Sequence, residues 1–183
     1  MNRDQLRATQ APLKQRYRDE PAAALITLKA EGRLGEGQSC SVETGRALVE
    51  AGLHPATGGD AMLACSGDML LQALVACAGV TLSSVATALG IELRSGQLRA
   101  EGDLDFCGTL GVDKNSAVGF KQIRLTITLD CDASAEQREQ LLQLTERYCV
   151  VYQTLRQSPD LRVSYATDGD SPSKPVSALS PRS

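Results

Sequence analysis

The stretch Ser66–Gly90, SGDMLLQALVACAGVTLSSVATALG, decides how this chain folds. Ser66 is of the type that caps helix N-termini, Asp68 stands in the first turn, where a carboxylate favours the positive end of the helix dipole, and Gly90 supplies a C-terminal stop. Between them Leu70, Leu74, Val80, Leu82, Val85 and Leu89 spread round nearly the whole circumference. A helix apolar on all sides is predicted to be buried. Asp68, Gln72, Thr81, Ser83 and Ser84 interrupt it, and no run approaches the roughly 18 apolar residues of a membrane span, so the expectation is the central helix of a soluble core. Ala73, Ala76, Ala78 and Gly79 surround Cys77, which lets another backbone come close at that point.

On the N-terminal side, residues 3–18 read as a polar helix with Pro12 as an interruption. The period then changes to two. Ile26, Leu28 and Ala30, then Cys40 and Val42, alternate with polar residues on either side of Gly32, Gly35 and Gly37. This predicts a two-stranded antiparallel hairpin with Arg33 on its loop. Residues 45–65 read as an irregular connection, and His54 within it as a turn residue. On the C-terminal side Ile91, Leu93, Leu98 and Ala100 predict one strand kinked near Ser95-Gly96, residues 107–119 a loop, and Ile123, Leu125, Ile127 and Leu129 a second strand. Ser134 with Gln137 is a capping-box pattern opening a second long helix that runs to about Gln157. Its apolar stripe is Leu141, Leu144, Tyr148, Tyr152 and Leu155, with Cys149 at the edge, about 80° from Leu141. Leu161, Val163 and Tyr165 suggest a last short strand, and the Ser/Pro-rich residues 168–183 a disordered tail. The order α-ββ-α-ββ-α-β is an α+β architecture, mostly antiparallel, with two long helices that each carry one cysteine near the middle.

Composition narrows the function. In 183 residues, 19 Lys+Arg against 22 Asp+Glu give a net charge of −3 with no basic stretch, which argues against nucleic acid as a partner. The polar opening, MNRDQLRATQ, is not a secretory leader, and the expectation is a cytoplasmic protein without a membrane partner whose six cysteines stay reduced. None of them forms a C-x-x-C pair and His54 is the only histidine, so a metal site is not expected. Cys40, Cys107 and Cys131 lie in or beside strands and read as structural. Cys65, directly before the central helix, is an alternative thiol partner.

Two segments taken together, DMLLQALVACAGVTL (68–82) and LLQLTERYCVVYQTLRQSPDLRV (141–163), resemble the OsmC/Ohr family of thiol-dependent organic hydroperoxide reductases. The likeness extends over residues 22–166 and divides the chain into an N-terminal helical extension (1–20), an OsmC-like domain (21–167) and a tail (168–183). The resemblance implies an intertwined homodimer whose sheets wrap round the central helices, with active sites at the subunit interface. It places the peroxidatic cysteine on Cys77 and the resolving cysteine on Cys149. It also implies an arginine and a glutamate holding the thiolate. Arg33 is the candidate arginine and Arg46 the second choice. The glutamate's place, ten residues before Cys77, is Gly67, and Asp68 is the nearest carboxylate. A further departure is Cys149-Val150, where many relatives have Cys-Pro.

The chemistry such a pair requires is definite. A thiol of pKa about 8.5 is mostly protonated at neutral pH, burial among alanines raises its pKa, and Cys77 lies about three turns from its own helix start, so a cation is expected beside it. The resemblance implies attack on an organic hydroperoxide, a Cys77–Cys149 disulfide, and reduction by an external dithiol or lipoylated protein, with no bound cofactor. An alternative is a family member that binds a small apolar or thiol-reactive ligand without peroxidase activity. A guanidinium at Cys77 favours the first, and its lack the second.

Overall fold

The computed structural model describes residues 2–19, 31–34, 39–43, 48–60, 62–111 and 113–164. The elements in chain order are α1 (Arg3–Asp19), β1 (Glu31–Leu34), β2 (Ser39–Glu43), β3 (Leu48–Gly52), a 3-10 turn (Pro55–Thr57), β4 (Ala64–Cys65), α2 (Ser66–Leu89), β5 (Leu93–Asp103), α3 (Phe106–Thr109), β6 (Gln122–Cys131), α4 (Ala135–Tyr148) and α5 (Val150–Arg156). This is the α+β architecture expected from the sequence. Strands β1, β2, β3 and β4 form one sheet in that order, antiparallel except for the parallel β3–β4 pair, and β5 and β6 form an antiparallel ribbon.

The ribbon follows the alternating pattern closely. Along β6 the residues Ile123, Leu125, Ile127 and Leu129 are half-buried while their neighbours are exposed. Leu98 pairs with Ile127 and Ala100 with Leu125, and the register slips between Leu93 and Ser95, where the sequence predicts a kink. The outer face carries ion pairs from Arg94 to Asp130 and Asp132 and from Arg124 to Asp103. These are solvent-exposed and add little stability individually.

The core forms where α2 packs on α4 and on the inner face of the ribbon. Leu82, Ala86, Ile91, Ala133 and Leu141 are its buried centre, with Leu98, Ile127 and Leu129 packed against them. Gly90 ends α2 in the left-handed conformation, at φ 73°, as its place in the sequence predicts. Ser134 opens α4 with the full capping box: its hydroxyl accepts from the Gln137 amide at 3.2 Å, and the Gln137 side chain accepts from the Ser134 amide at 2.9 Å.

Several expectations are corrected. The N-cap position of α2 belongs to Cys65, whose side chain makes no capping bond, and Ser66 is already helical. Helix α2 is not buried all round. Leu74, Ala78, Leu82 and Ala86, spaced by four, are buried, while Val80 is 70% exposed, because a single chain covers only one side. Helix α1 runs through Pro12, whose fixed φ is itself helical, so the helix continues without that residue's N–H. Residues 45–65 contain β3, the 3-10 turn and β4. Within the 107–119 loop the chain begins with the end of α3, capped by the Asp105 carboxylate, which accepts from the Cys107 amide at 3.0 Å. Near the C-terminus Val163 forms only an isolated bridge, and Leu161 and Val163 are exposed. Ile26, Leu28 and Ala30, Tyr165 and the tail lie outside the described residues.

Candidate active site

The largest correction falls on the second long helix. In place of one helix to Gln157 the chain forms α4, breaks at Cys149, and restarts as α5. Cys149 has φ −74° and ψ 108°, an extended conformation between two helices. The buried row is therefore Leu141, Thr145 and Cys149, and Tyr148 faces outward, 58% exposed. Cys149 itself is 1% exposed.

The break places Cys149 against Cys77, in the middle of α2, with the two thiols in hydrogen-bonding contact and no disulfide between them. The surroundings of the two sulfurs differ. Burial pushes the Cys77 thiol up, but the Val151 amide, the Cys149 thiol, the Val150 amide and the Thr81 hydroxyl all donate toward its sulfur, and their sum holds it below the usual thiol range. Cys149 moves the other way. Burial is the main cause that pushes it up; the Tyr152 amide, and more weakly the Val151 amide shared with Cys77, pull it down, but the hydrogen bond to Cys77 and that sulfur's negative charge add to burial and leave it raised. The contact therefore favours one thiolate, on Cys77, and one thiol, on Cys149.

Two of these donors escape sequence reasoning for a physical reason. The helix whose amides serve Cys77 is not its own but α5, and nothing in Cys149-Val150-Val151 is a helix breaker. Thr81 was legible: it lies four residues after Cys77, on the same side of the same helix.

The remaining predicted residues do not converge in the same way. Asp68 is exposed, lies nine residues before Cys77 and so about 180° round the helix, and lines a separate shallow groove with Leu71, Val75 and Ala76. The structure does not bring it to Cys77. Gly67, where the resemblance implies a glutamate, faces Phe120 and Leu104. Arg33 lies on β1, paired with Ser41, rather than on a loop, because the hairpin is set further along the chain than the alternation suggests. Its side chain, and all of Arg46, lie outside the described residues. Cys65 stands twelve residues before Cys77, about 18 Å along the helix, too far to be its partner. His54 is a turn residue as expected: Nδ1 accepts from the Ala56 amide at 3.0 Å, and the ring stacks on Phe106 at 5.0 Å.

A groove of about 530 Å³ opens one helical turn from both thiols, lined by Leu74 on α2 and Tyr152 on α5 together with Leu70, Phe120, Leu125 and Leu155. Phe120 occupies it only because Gly102 on β5 carries no side chain; a Cβ there would overlap the ring. The groove is mostly apolar, with Lys121 and Arg156 on its lining.

The arrangement thus pairs a thiol held below the usual range with a second thiol in hydrogen-bonding contact, one helical turn from an apolar groove, within a fold of packed helices and mostly antiparallel sheet. The OsmC-like protein family model matches residues 59–164, more than half of the chain, and the chain belongs to that family. Solved structures with the same fold include an OsmC-like protein from Mycoplasma pneumoniae, with TM-score 0.61 and 17% identity, covering 73% of this chain and 89% of that one. Another is an organic hydroperoxide resistance protein from Elizabethkingia anophelis, with TM-score 0.59 and 15% identity, covering 74% and 91%. A third is an organic hydroperoxide resistance protein OsmC from Legionella pneumophila, with TM-score 0.57 and 18% identity, covering 73% and 91%. No curated protein matches by sequence.

Proposed function

We propose that the protein is a thiol-dependent peroxidase that reduces organic hydroperoxides to alcohols and works as a homodimer. The observation that carries this reading is the contact between Cys77 and Cys149, with the first thiol held below the usual range and the second above it. The Cys77 thiolate attacks the distal oxygen of the hydroperoxide. An S–O bond forms, the O–O bond breaks, and the alkoxide leaves and takes a proton from water as the alcohol. Cys77 is now a sulfenic acid, two electrons oxidised. The Cys149 thiol displaces its hydroxyl, releasing water and leaving a Cys77–Cys149 disulfide. An external dithiol, small or as a lipoylated protein, returns both thiols by exchange and is itself oxidised to a disulfide.

Three observations support the details. The apolar groove beside the thiols suits an organic hydroperoxide better than hydrogen peroxide, which has no apolar group to bury. The uncovered apolar residues of α2, among them Val80 and Leu70, suit a second copy of the chain. The similar solved structures include proteins described as organic hydroperoxide resistance proteins. Arg33 is the guanidinium this reading adds beside the thiolate.

The test is consumption of cumene hydroperoxide with dihydrolipoamide as reductant. Cys149→Ser is expected to release about one equivalent of alcohol per subunit in a first turnover and then stall, since its sulfenic acid lacks the resolving thiol. Steady turnover equal to the wild type in Cys149→Ser rejects the two-cysteine cycle. The wild-type first-turnover rate depends on pH with a definite sign. Ionisation of Cys77 below the ordinary thiol value makes the rate rise with pH and level off before about 8.5. A rate still climbing tenfold per unit at pH 8.5 contradicts an activated Cys77.

A further inference from the structure

In an unbroken helix the amide of residue 150 would bond to the carbonyl of residue 146. Here the last amide of α4 to do so is that of Cys149, which bonds to the Thr145 carbonyl at 2.9 Å. The amides of Val150 and Val151 turn instead toward the Cys77 sulfur. That leaves the Glu146 carbonyl, at an exposed position, without its helical donor. The vacancy is filled by the side chain of Gln153, whose Nε2 donates to the Glu146 carbonyl at 2.7 Å. The backbone amide of Gln153 donates to the Cys149 carbonyl at 3.0 Å. One residue therefore holds both sides of the break. Tyr152 adds a second tie, its hydroxyl donating to Glu146 Oε2 at 3.2 Å.

We propose that Gln153 is a positioning residue for the peroxidatic thiol: by occupying the Glu146 carbonyl it keeps the helix broken at Cys149 and so keeps the Val150 and Val151 amides on Cys77. This rests on the reading of Cys77 as the reactive thiol. Many relatives in the resemblance have proline after this cysteine. Here Val150 retains an N–H that could return to Glu146, and Gln153 competes for that carbonyl. Without the Gln153 donor the Glu146 carbonyl is open to the Val150 amide, α4 and α5 join, and the sulfur loses two donors.

The experiment measures the ionisation of Cys77 without any peroxide, so that it stands apart from the peroxidase reading. The pH dependence of iodoacetamide alkylation is followed at the Cys77 peptide by mass spectrometry, on the full chain. In Gln153→Met, which keeps the size and removes the donor, the midpoint is expected to rise by about one pH unit, and alkylation at pH 6.5 to fall about tenfold. Gln153→Ala carries the same expectation should the methionine variant not fold. The decisive variant is the double one, Gln153→Met with Val150→Pro. Proline has no N–H to return to Glu146, fits the first helical position, and suits the extended conformation of Cys149 before it. It restores the break and the Val151 amide, so the midpoint is expected to move back by at least half of its shift. A general loss of stability would not be repaired by adding a proline. An unchanged midpoint in Gln153→Met, or one that rises and stays risen in the double variant, overturns the proposal. Peroxide turnover absent from the wild type, with these midpoints as expected, would instead reject the peroxidase and leave the positioning role standing.

Discussion

Cys77→Ser is expected to lower hydroperoxide turnover by at least about 10³-fold, with the fold unchanged. The size of the effect follows from what the four donors around the sulfur accomplish. They favour a negative charge on an atom whose ordinary pKa is within reach of neutral pH. A serine hydroxyl starts several units higher, and the same contacts leave it protonated. Serine is close in size, so Leu74, Ala78 and the Cys149 thiol keep their places. The measurement is peroxide consumption at saturating dithiol, with circular dichroism to confirm folding. Retained turnover in Cys77→Ser would mean that another thiol, such as the exposed Cys107, carries the chemistry.

The second large effect is on stability. Leu141→Ala is expected to destabilise the protein by about 3 to 5 kcal/mol, seen as a lower denaturant midpoint with an unchanged slope. Leu141 is fully buried, 0% exposed, at the meeting point of α4 with Leu82 and Ala86 of α2 and with Ile91 and Ala133. Two of those neighbours are alanines, too short to move into the space left by an isobutyl group, so the cavity persists. The loss is a large fraction of the total for a domain of this size. A change below about 1 kcal/mol would show that the helix pair is not the core of the molecule.

What could be read from the sequence and what could not divides along a physical line. Elements that carry their own signals were legible. Gly90 must end α2 because the chain turns left-handed there; Ser134 and Gln137 satisfy each other's amides; β6 alternates because one face meets α2 and the other water. The thiol pair was legible as two cysteines in a familiar context. The break between them was not, because Tyr148-Cys149-Val150-Val151 holds neither proline nor glycine, and the weak helix preference of its residues does not by itself stop a helix. It arises from competition for amides between a carbonyl four residues back and a sulfur on another helix. Strand β3 was missed for a related reason: Leu48–Gly52 contains three residues, Glu50, Ala51 and Gly52, of low strand preference, and its extension is dictated by pairing with β2. Asp68 was attractive by proximity in sequence, yet helical geometry turns it away from Cys77.

The notch at Gly102 has its own consequence. The floor beneath the apolar trough is an aromatic ring lying where a methyl group has been left out of a strand, and neither cysteine touches it. Enlarging that one position would lift the ring and narrow the trough while sparing the sulfur chemistry. Selection for bulkier or slimmer guests can thus act through an edge of the ribbon, on a part of the molecule that takes no share in electron transfer.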